Sequence, residues 1–98
     1  MIEIVNIRNN KCDVYCGHGS PLGNKFFNGI ESERDFAIYL FKEWFYLQEK
    51  IGFSNEIKNQ LNEIKILSKK GIVKLGCYCK PKRCHCEVIK EYIENNMT

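Results

Sequence analysis

Residues 77–87 hold Cys77, Cys79, Cys84, His85, Cys86 and Glu87, the densest group of reactive side chains in the chain. Three chemistries suit them. Cys77, Cys79, Cys84 and either Cys86 or His85 offer four soft ligands to a zinc ion, although the intervals of one, four and one residue are not the usual paired CxxC knuckles. Alternatively Cys84 is a nucleophile whose thiol is acidified by a helix N-terminus, with His85 or Glu87 moving the proton. Neighbours in a first helical turn point in different directions, so contact between Cys84 and His85 is not given by sequence. The plainest account is structural: Cys77 and Cys79 are small apolar residues on one strand face, and Cys84 and His85 shape a turn. All three stay open.

The second group is the segment Gly17-His18-Gly19-Ser20-Pro21-Leu22-Gly23-Asn24. Its glycines forbid a regular element and allow close backbone approach to a ligand. It can act as a phosphate or ribose cradle, with amides of Gly17, Gly19 and Gly23 and polar arms from His18, Ser20 and Asn24. It can equally be a tight turn, and it matches neither a P-loop nor a dinucleotide fingerprint. Lys80, Lys82 and Arg83 supply charge beside the cysteines, and Arg8 ends the first apolar run. Cations beside a turn are otherwise simply solvated.

These groups must be positioned by the elements between them. Ile2, Ile4, Val5 and Ile7 read as a strand, and residues 12–16 as a second strand, paired with the first as a hairpin because the connection is short. Such a hairpin puts Arg8 at the opposite edge from the glycine loop. Ser32-Glu33-Arg34-Asp35 has the form of a capping box, followed by Phe36, Leu40, Phe41, Trp44 and Leu47 on one helical face. Gly52 closes that helix. Ser54 or Asn55 caps a second helix with Ile57, Leu61, Ile64 and Leu67 inward, ending at Lys69-Lys70-Gly71. A buried strand over 72–78, a turn containing Pro81, and a helix over 83–94 with Val88, Ile89, Tyr92 and Ile93 inward complete the chain. The predicted class is α/β, a single domain over 1–98 with β-β-α-α-β-α order and helices packed on a mixed sheet. A helical crossover makes the second and third strands parallel neighbours. The glycine loop and the cysteine turn then share the carboxyl edge, where open α/β sheets bind ligands.

Composition narrows the classes. At 98 residues with 44% hydrophobic and 12% aromatic content, the chain supports one modest core. A net charge of +3 suits a phosphorylated ligand and is too small for a duplex-binding protein, so nucleic acid is set aside as the main partner. Apolar runs fall short of a membrane span, and the chain opens on a strand pattern rather than a signal peptide. The expected location is the cytoplasm, where the six cysteines would be reduced or metal-bound rather than paired.

Val5-Asn6-Ile7-Arg8, Asp13-Val14-Tyr15-Cys16-Gly17, the Gly-Ser-Pro-Leu-Gly-Asn stretch at 19–24, and Leu75-Gly76-Cys77-Tyr78-Cys79 with Pro81, Cys84-His85 and Glu87 resemble one small family. It is a domain of unknown function found in bacteria and phages, marked by a GSPLGN loop and a terminal CxCxPxxCH motif. The resemblance covers nearly the whole chain and implies a compact α/β domain, often phage-borne, without supplying a reaction. In that family the position of His18 is more often arginine, that of Cys86 a small residue and that of Glu87 often aspartate. Cys12 and Cys16 lie outside the common pattern.

The leading expectation is a protein that binds a phosphorylated nucleotide or nucleotide-sugar between loop 17–24 and the helix start at 80–87. Gly17, His18, Gly19, Ser20, Gly23, Asn24, Cys79, Lys80, Lys82, Arg83 and Arg8 are its candidate contacts. If the chain is phage-encoded, sequestering a nucleotide second messenger in the host cytoplasm would counter a defence. This reading requires no cofactor. The alternatives are an enzyme processing such a ligand through Cys84, His85 and Glu87, and an interaction module stabilised by zinc on Cys77, Cys79, Cys84 and Cys86. Assembly into a homo-oligomer stays open in each case.

Overall fold

Val73, Leu75 and Cys77 alternate along one short strand, and each is at most 1% exposed. A strand so deeply buried must be covered by other elements, which is the position of a central parallel strand. The computed structural model, which describes residues 1–80 and 82–96, places it there. The elements are β1 (Ile2–Asn6), β2 (Val14–Tyr15), α1 (Arg34–Ile51), α2 (Asn55–Lys70), β3 (Val73–Cys77) and α3 (Cys86–Asn95). The expected order and α/β class hold. Pro81 lies outside the described residues.

The sheet order is β1-β3-β2, and both outer strands run parallel to β3. The expected hairpin between the first two strands is therefore absent, and the sheet is parallel throughout rather than mixed. Residues 7–13 instead cross the face of β3 at Gly76. A side chain on Gly76 would meet Cys12 Sγ at 2.5 Å and Ile7 Cγ2 at 2.6 Å. The crossing is pinned at both ends. Ile7 N–H donates to Cys77 O (2.9 Å), Asp13 N–H donates to Lys74 O (2.8 Å), and Lys74 N–H donates to the Asp13 carboxylate (2.8 Å). Parallel strands ordinarily need a dozen or more connecting residues. The bare face at Gly76 lets a shorter link lie flat.

The helices close the core, with α2 against β2 and β3 and α3 against β1. Ser54 caps α2 by accepting from Ile57 N–H (3.3 Å), and Ile57, Leu61 and Ile64 point inward as expected. In α3, Val88, Ile89, Tyr92 and Ile93 are buried, while residues 83–85 belong to the turn before it. The buried stripe of α1 is Ala37, Ile38, Phe41 and Phe45, so the helix is rotated from the expected face and leaves Phe36 and Leu47 exposed. Its apolar residues run so far around the cylinder that periodicity alone did not select the inner side. Nor does Ser32 cap it. Glu31–Glu33 forms a 3₁₀ turn with no side-chain cap. Arg34 locks that turn by donating from Nε and Nη2 to the two oxygens of Glu31, both at 2.8 Å.

Gly76→Ala is expected to cost about 1–3 kcal/mol by overpacking the crossing. Urea denaturation monitored by tryptophan fluorescence checks this, and an unchanged midpoint would show that the link does not depend on the bare strand face.

Candidate functional site

Because β2 and β3 are parallel, the loops leaving Tyr15 and Cys77 emerge at one carboxyl edge. A pocket of about 180 Å³ lies between them. Its wall combines Gly17, His18 and Asn24 from the first loop with Cys77, Cys79, Arg83, Cys84 and His85 from the second. Tyr78, Phe27, Arg34 and Ile38 complete it, none of which the sequence reading placed in a site.

The first loop is built mainly from its own contacts. Ser20 N–H and Oγ–H both donate to Gly17 O (3.1 and 2.8 Å), and Gly23 N–H donates to Ser20 O (2.9 Å). Gly19 has φ +92°, and a side chain on Gly23 would strike Gly17 O at 2.5 Å. Gly19, Ser20 and Gly23 thus shape the turn behind the pocket wall. Gln60 of α2 grips the loop at two places, donating to Tyr15 O (2.7 Å) and accepting from Leu22 N–H (3.2 Å). Buried Asn24 donates to Ala37 O (3.2 Å) and accepts from Phe26 N–H (2.9 Å), so it fastens the loop to α1 with both ends of its amide.

The second loop is held from outside. Asn6 Nδ2 donates to Lys80 O (2.8 Å) and Tyr78 O (3.3 Å), and Arg34 Nη1 donates to Arg83 O (3.0 Å). The two loops are then joined through His85. Its Nε2 lies 2.7 Å from Cys16 O, and because a carbonyl only accepts, Nε2 carries the proton. Nδ1 is left facing Cys84 Sγ at 3.6 Å, so these sequence neighbours do touch. The Phe41 ring stands edge-on to the imidazole with centroids 4.8 Å apart.

Beneath the pocket the thiols converge. The Sγ atoms of buried Cys77, Cys84 and Cys86 all lie within 4.8 Å of one another. Cys79, partly buried, stands outside that group but interacts with Cys77 and Cys84, and Cys16 interacts with Cys86. All six cysteines are free thiols. Cys84 has the most strongly lowered pKa of the group. Hydrogen bonds from Cys77, Cys79 and Cys86 push its pKa far below the ordinary thiol value against the effect of burial, and Cys86 N–H points at its sulfur (3.5 Å). Cys77 is lowered to about 6, chiefly by its bond with Cys79. Cys79 and Cys86 are raised, chiefly by their interactions with Cys77 and Cys16 respectively. Burial works to lower the pKa of His85, but the contacts with Cys84 outweigh it and the net shift is upward.

Of the other candidates, Lys80, Lys82, Glu87 and Arg8 stand apart from the pocket and Arg83 does not. Lys82 pairs with Glu31 (3.4 Å). Lys80 and Glu87 line a separate depression with Lys90, so Glu87 faces away from Cys84 and His85. Arg83 reaches Asp35 (2.8 Å) while still forming part of the wall. Arg8, expected at the far edge, lies at the same edge because β1 is parallel, with its guanidinium 5.4 Å from the Tyr78 ring centre. Arg34 is the main residue the sequence reading missed. Its signal, an acid three residues before a base, overlaps the capping-box pattern at Ser32-Glu33-Arg34-Asp35.

Fold and site together define a small parallel α/β domain with a carboxyl-edge pocket floored by free thiols. The chain belongs to the family DUF4326, a domain of unknown function, whose model matches residues 5–95. No curated protein and no solved structure matches it at a significant level. Among the described residues, no helix is long and apolar enough to cross a membrane.

Arg34 holds the Glu31 carboxyl down at about 2 by hydrogen bonding to it, against an ordinary value of 4.5. The stabilisation is therefore complete above pH 4.5 and fades as the pH falls toward 2. Arg34→Gln should move the Glu31 titration upward, as read by NMR, and flatten the loss of melting temperature across that window. An unmoved titration would remove Arg34 as the cause.

Proposed function

We propose that this protein binds a small phosphorylated ligand of the nucleotide type, and that it does so in the carboxyl-edge pocket. The observation that carries this reading is the convergence on one cavity of Arg34, Arg83, His18 and His85 beside the loop at Gly17. Arg34 commits three of its N–H groups to Glu31 and to Arg83 O. Two N–H groups remain for Cys79 and for a ligand oxygen. A guanidinium fixed in this way presents its donors with little ordering cost. The position also agrees with the rule that parallel sheets take ligands at the carboxyl ends of their strands. For a phage-borne chain, capturing a nucleotide second messenger would be counter-defence.

The expected result is a thermal stabilisation by at least one member of a panel of ADP-ribose derivatives, cyclic nucleotides and NAD. At a hundredfold excess over Kd this amounts to about 2.7 kcal/mol. Recovery of the ligand with unchanged mass marks capture. A flat response across the panel would overturn the reading.

A second reading concerns what lies under the pocket, and the thiol cluster favours it. Tetrahedral zinc at about 2.3 Å from four sulfurs sets them about 3.8 Å apart, a spacing the cluster approaches already. Cys77, Cys84 and Cys86 would be three of the ligands, and Cys79, whose sulfur lies outside that group, would have to move in as the fourth. The Cys86 amide on Cys84 Sγ and the Arg34 guanidinium beside Cys79 are suitable outer partners for thiolates. Zinc would supply a permanent counter-charge to buried thiolates and thereby fix the turn. It would also occupy the Cys84 lone pair, so metal content decides against or in favour of turnover through Cys84 and His85. Protein purified without chelators should carry about one zinc per chain by elemental analysis and native mass spectrometry. Cys84→Ser should lose it and melt lower. Metal-free protein of unchanged stability would return the cluster to a structural or catalytic role.

A further inference from the structure

The pocket holds about 180 Å³, below the roughly 300 Å³ at which sites for drug-sized ligands begin. It accommodates a phosphate and part of a sugar, and a base attached to them must lie at its mouth. Tyr78 stands there. It is 51% exposed, and among the described residues it is the one strongly exposed large apolar side chain in that wall. Exposed aromatic rings elsewhere have ordinary explanations. Phe36 and Tyr39, for example, stack on each other along α1, at 6.3 Å.

Tyr78 is held from several sides. The Arg8 guanidinium lies over its ring at 5.4 Å, and the Tyr15 ring meets it nearly perpendicular, at 78° and 6.3 Å. Asn6 fixes its carbonyl. Tyr15 in turn donates its hydroxyl to His18 O (3.0 Å) and fills the space that Gly17 leaves, where a side chain would lie 2.5 Å from its oxygen. One aromatic pair therefore ties the mouth of the pocket to its glycine wall. A ring set in place before binding offers a stacking face at small entropic cost. Arg8, lying over the ring, covers one of its two faces with a planar cationic group and helps hold the ring in place.

We infer that Tyr78, held by Arg8 and Tyr15, is the platform on which the planar base of the ligand stacks while its phosphate enters the pocket. This rests on the pocket reading given above and goes beyond it in assigning the part of the ligand that the mouth recognises. Stacking rewards ring area, so a purine nucleoside 5′-monophosphate binds more tightly than a pyrimidine one, and both more tightly than ribose 5-phosphate.

Calorimetric titration of the full chain with AMP, UMP and ribose 5-phosphate tests this. AMP should bind tighter than ribose 5-phosphate by about ten-fold, with UMP between. Tyr78→Ala should erase the advantage of AMP over ribose 5-phosphate, and Tyr78→Phe should preserve it. Equal binding of AMP and ribose 5-phosphate to the wild type would overturn the platform and leave the pocket standing. So would a uniform loss of affinity in Tyr78→Ala. Failure of all three probes to bind would remove the platform, and a flat response across the wider nucleotide panel would remove the pocket with it.

Discussion

The structure depends on a connection lying flat across the central strand. Residues 7–13 must return the chain from the carboxyl end of β1 to the amino end of β2 with β3 between them. They do so against Gly76, where the Cys12 and Ile7 side chains occupy the space of a missing Cβ. Everything at the carboxyl edge follows. With the sheet parallel, Asn6, Tyr15 and Cys77 all end there, and the loops after them are brought face to face. A hairpin would have turned β1 over and carried Asn6 and Arg8 to the other end of the molecule.

The polar contacts at that edge are arranged so that each loop is held by the other, by a helix or by β1. His85 reaches Cys16 O, Arg34 reaches Arg83 O, Asn24 reaches Ala37 O, and Asn6 reaches Tyr78 O and Lys80 O. Among the described residues no buried side-chain nitrogen or oxygen is without a partner. Irregular backbone can be packed this deeply only when its polar groups are satisfied in this way. The thiols are the exception in kind, since sulfur satisfies sulfur weakly. Cys84, whose pKa its neighbours lower, is the thiol of the cluster most readily ionised.

Much of the fold was legible from the sequence. The apolar alternation of β3, the Ser54 cap and Lys69-Lys70-Gly71 terminus of α2, and the Val88, Ile89, Tyr92 and Ile93 stripe of α3 are local signals, and each appears where expected. The face of α1 was not legible, because apolar residues on nearly every side make two stripes equally plausible until Phe45 finds Tyr92 and Phe41 finds His85. The hairpin expectation rested on the shortness of a link. That shortness was compatible with a parallel return only through a glycine some seventy residues away.

The same division holds at the edge of the sheet. The sequence by itself determined which residue types could do chemistry, that two small-residue loops follow two strands, and that these loops belong together if the strands are parallel. Spacing and composition carry that information because they act within a few residues of each other. Tertiary structure decided the rest. It drew Cys77, Cys84 and Cys86 to within 4.8 Å, turned Glu87 away from them, and set the His85 proton on Nε2. It also moved Arg34 from a helix start into the pocket wall and placed Tyr78 at its mouth. Those outcomes depend on contacts between residues dozens of positions apart, where only the packed chain fixes distance and direction.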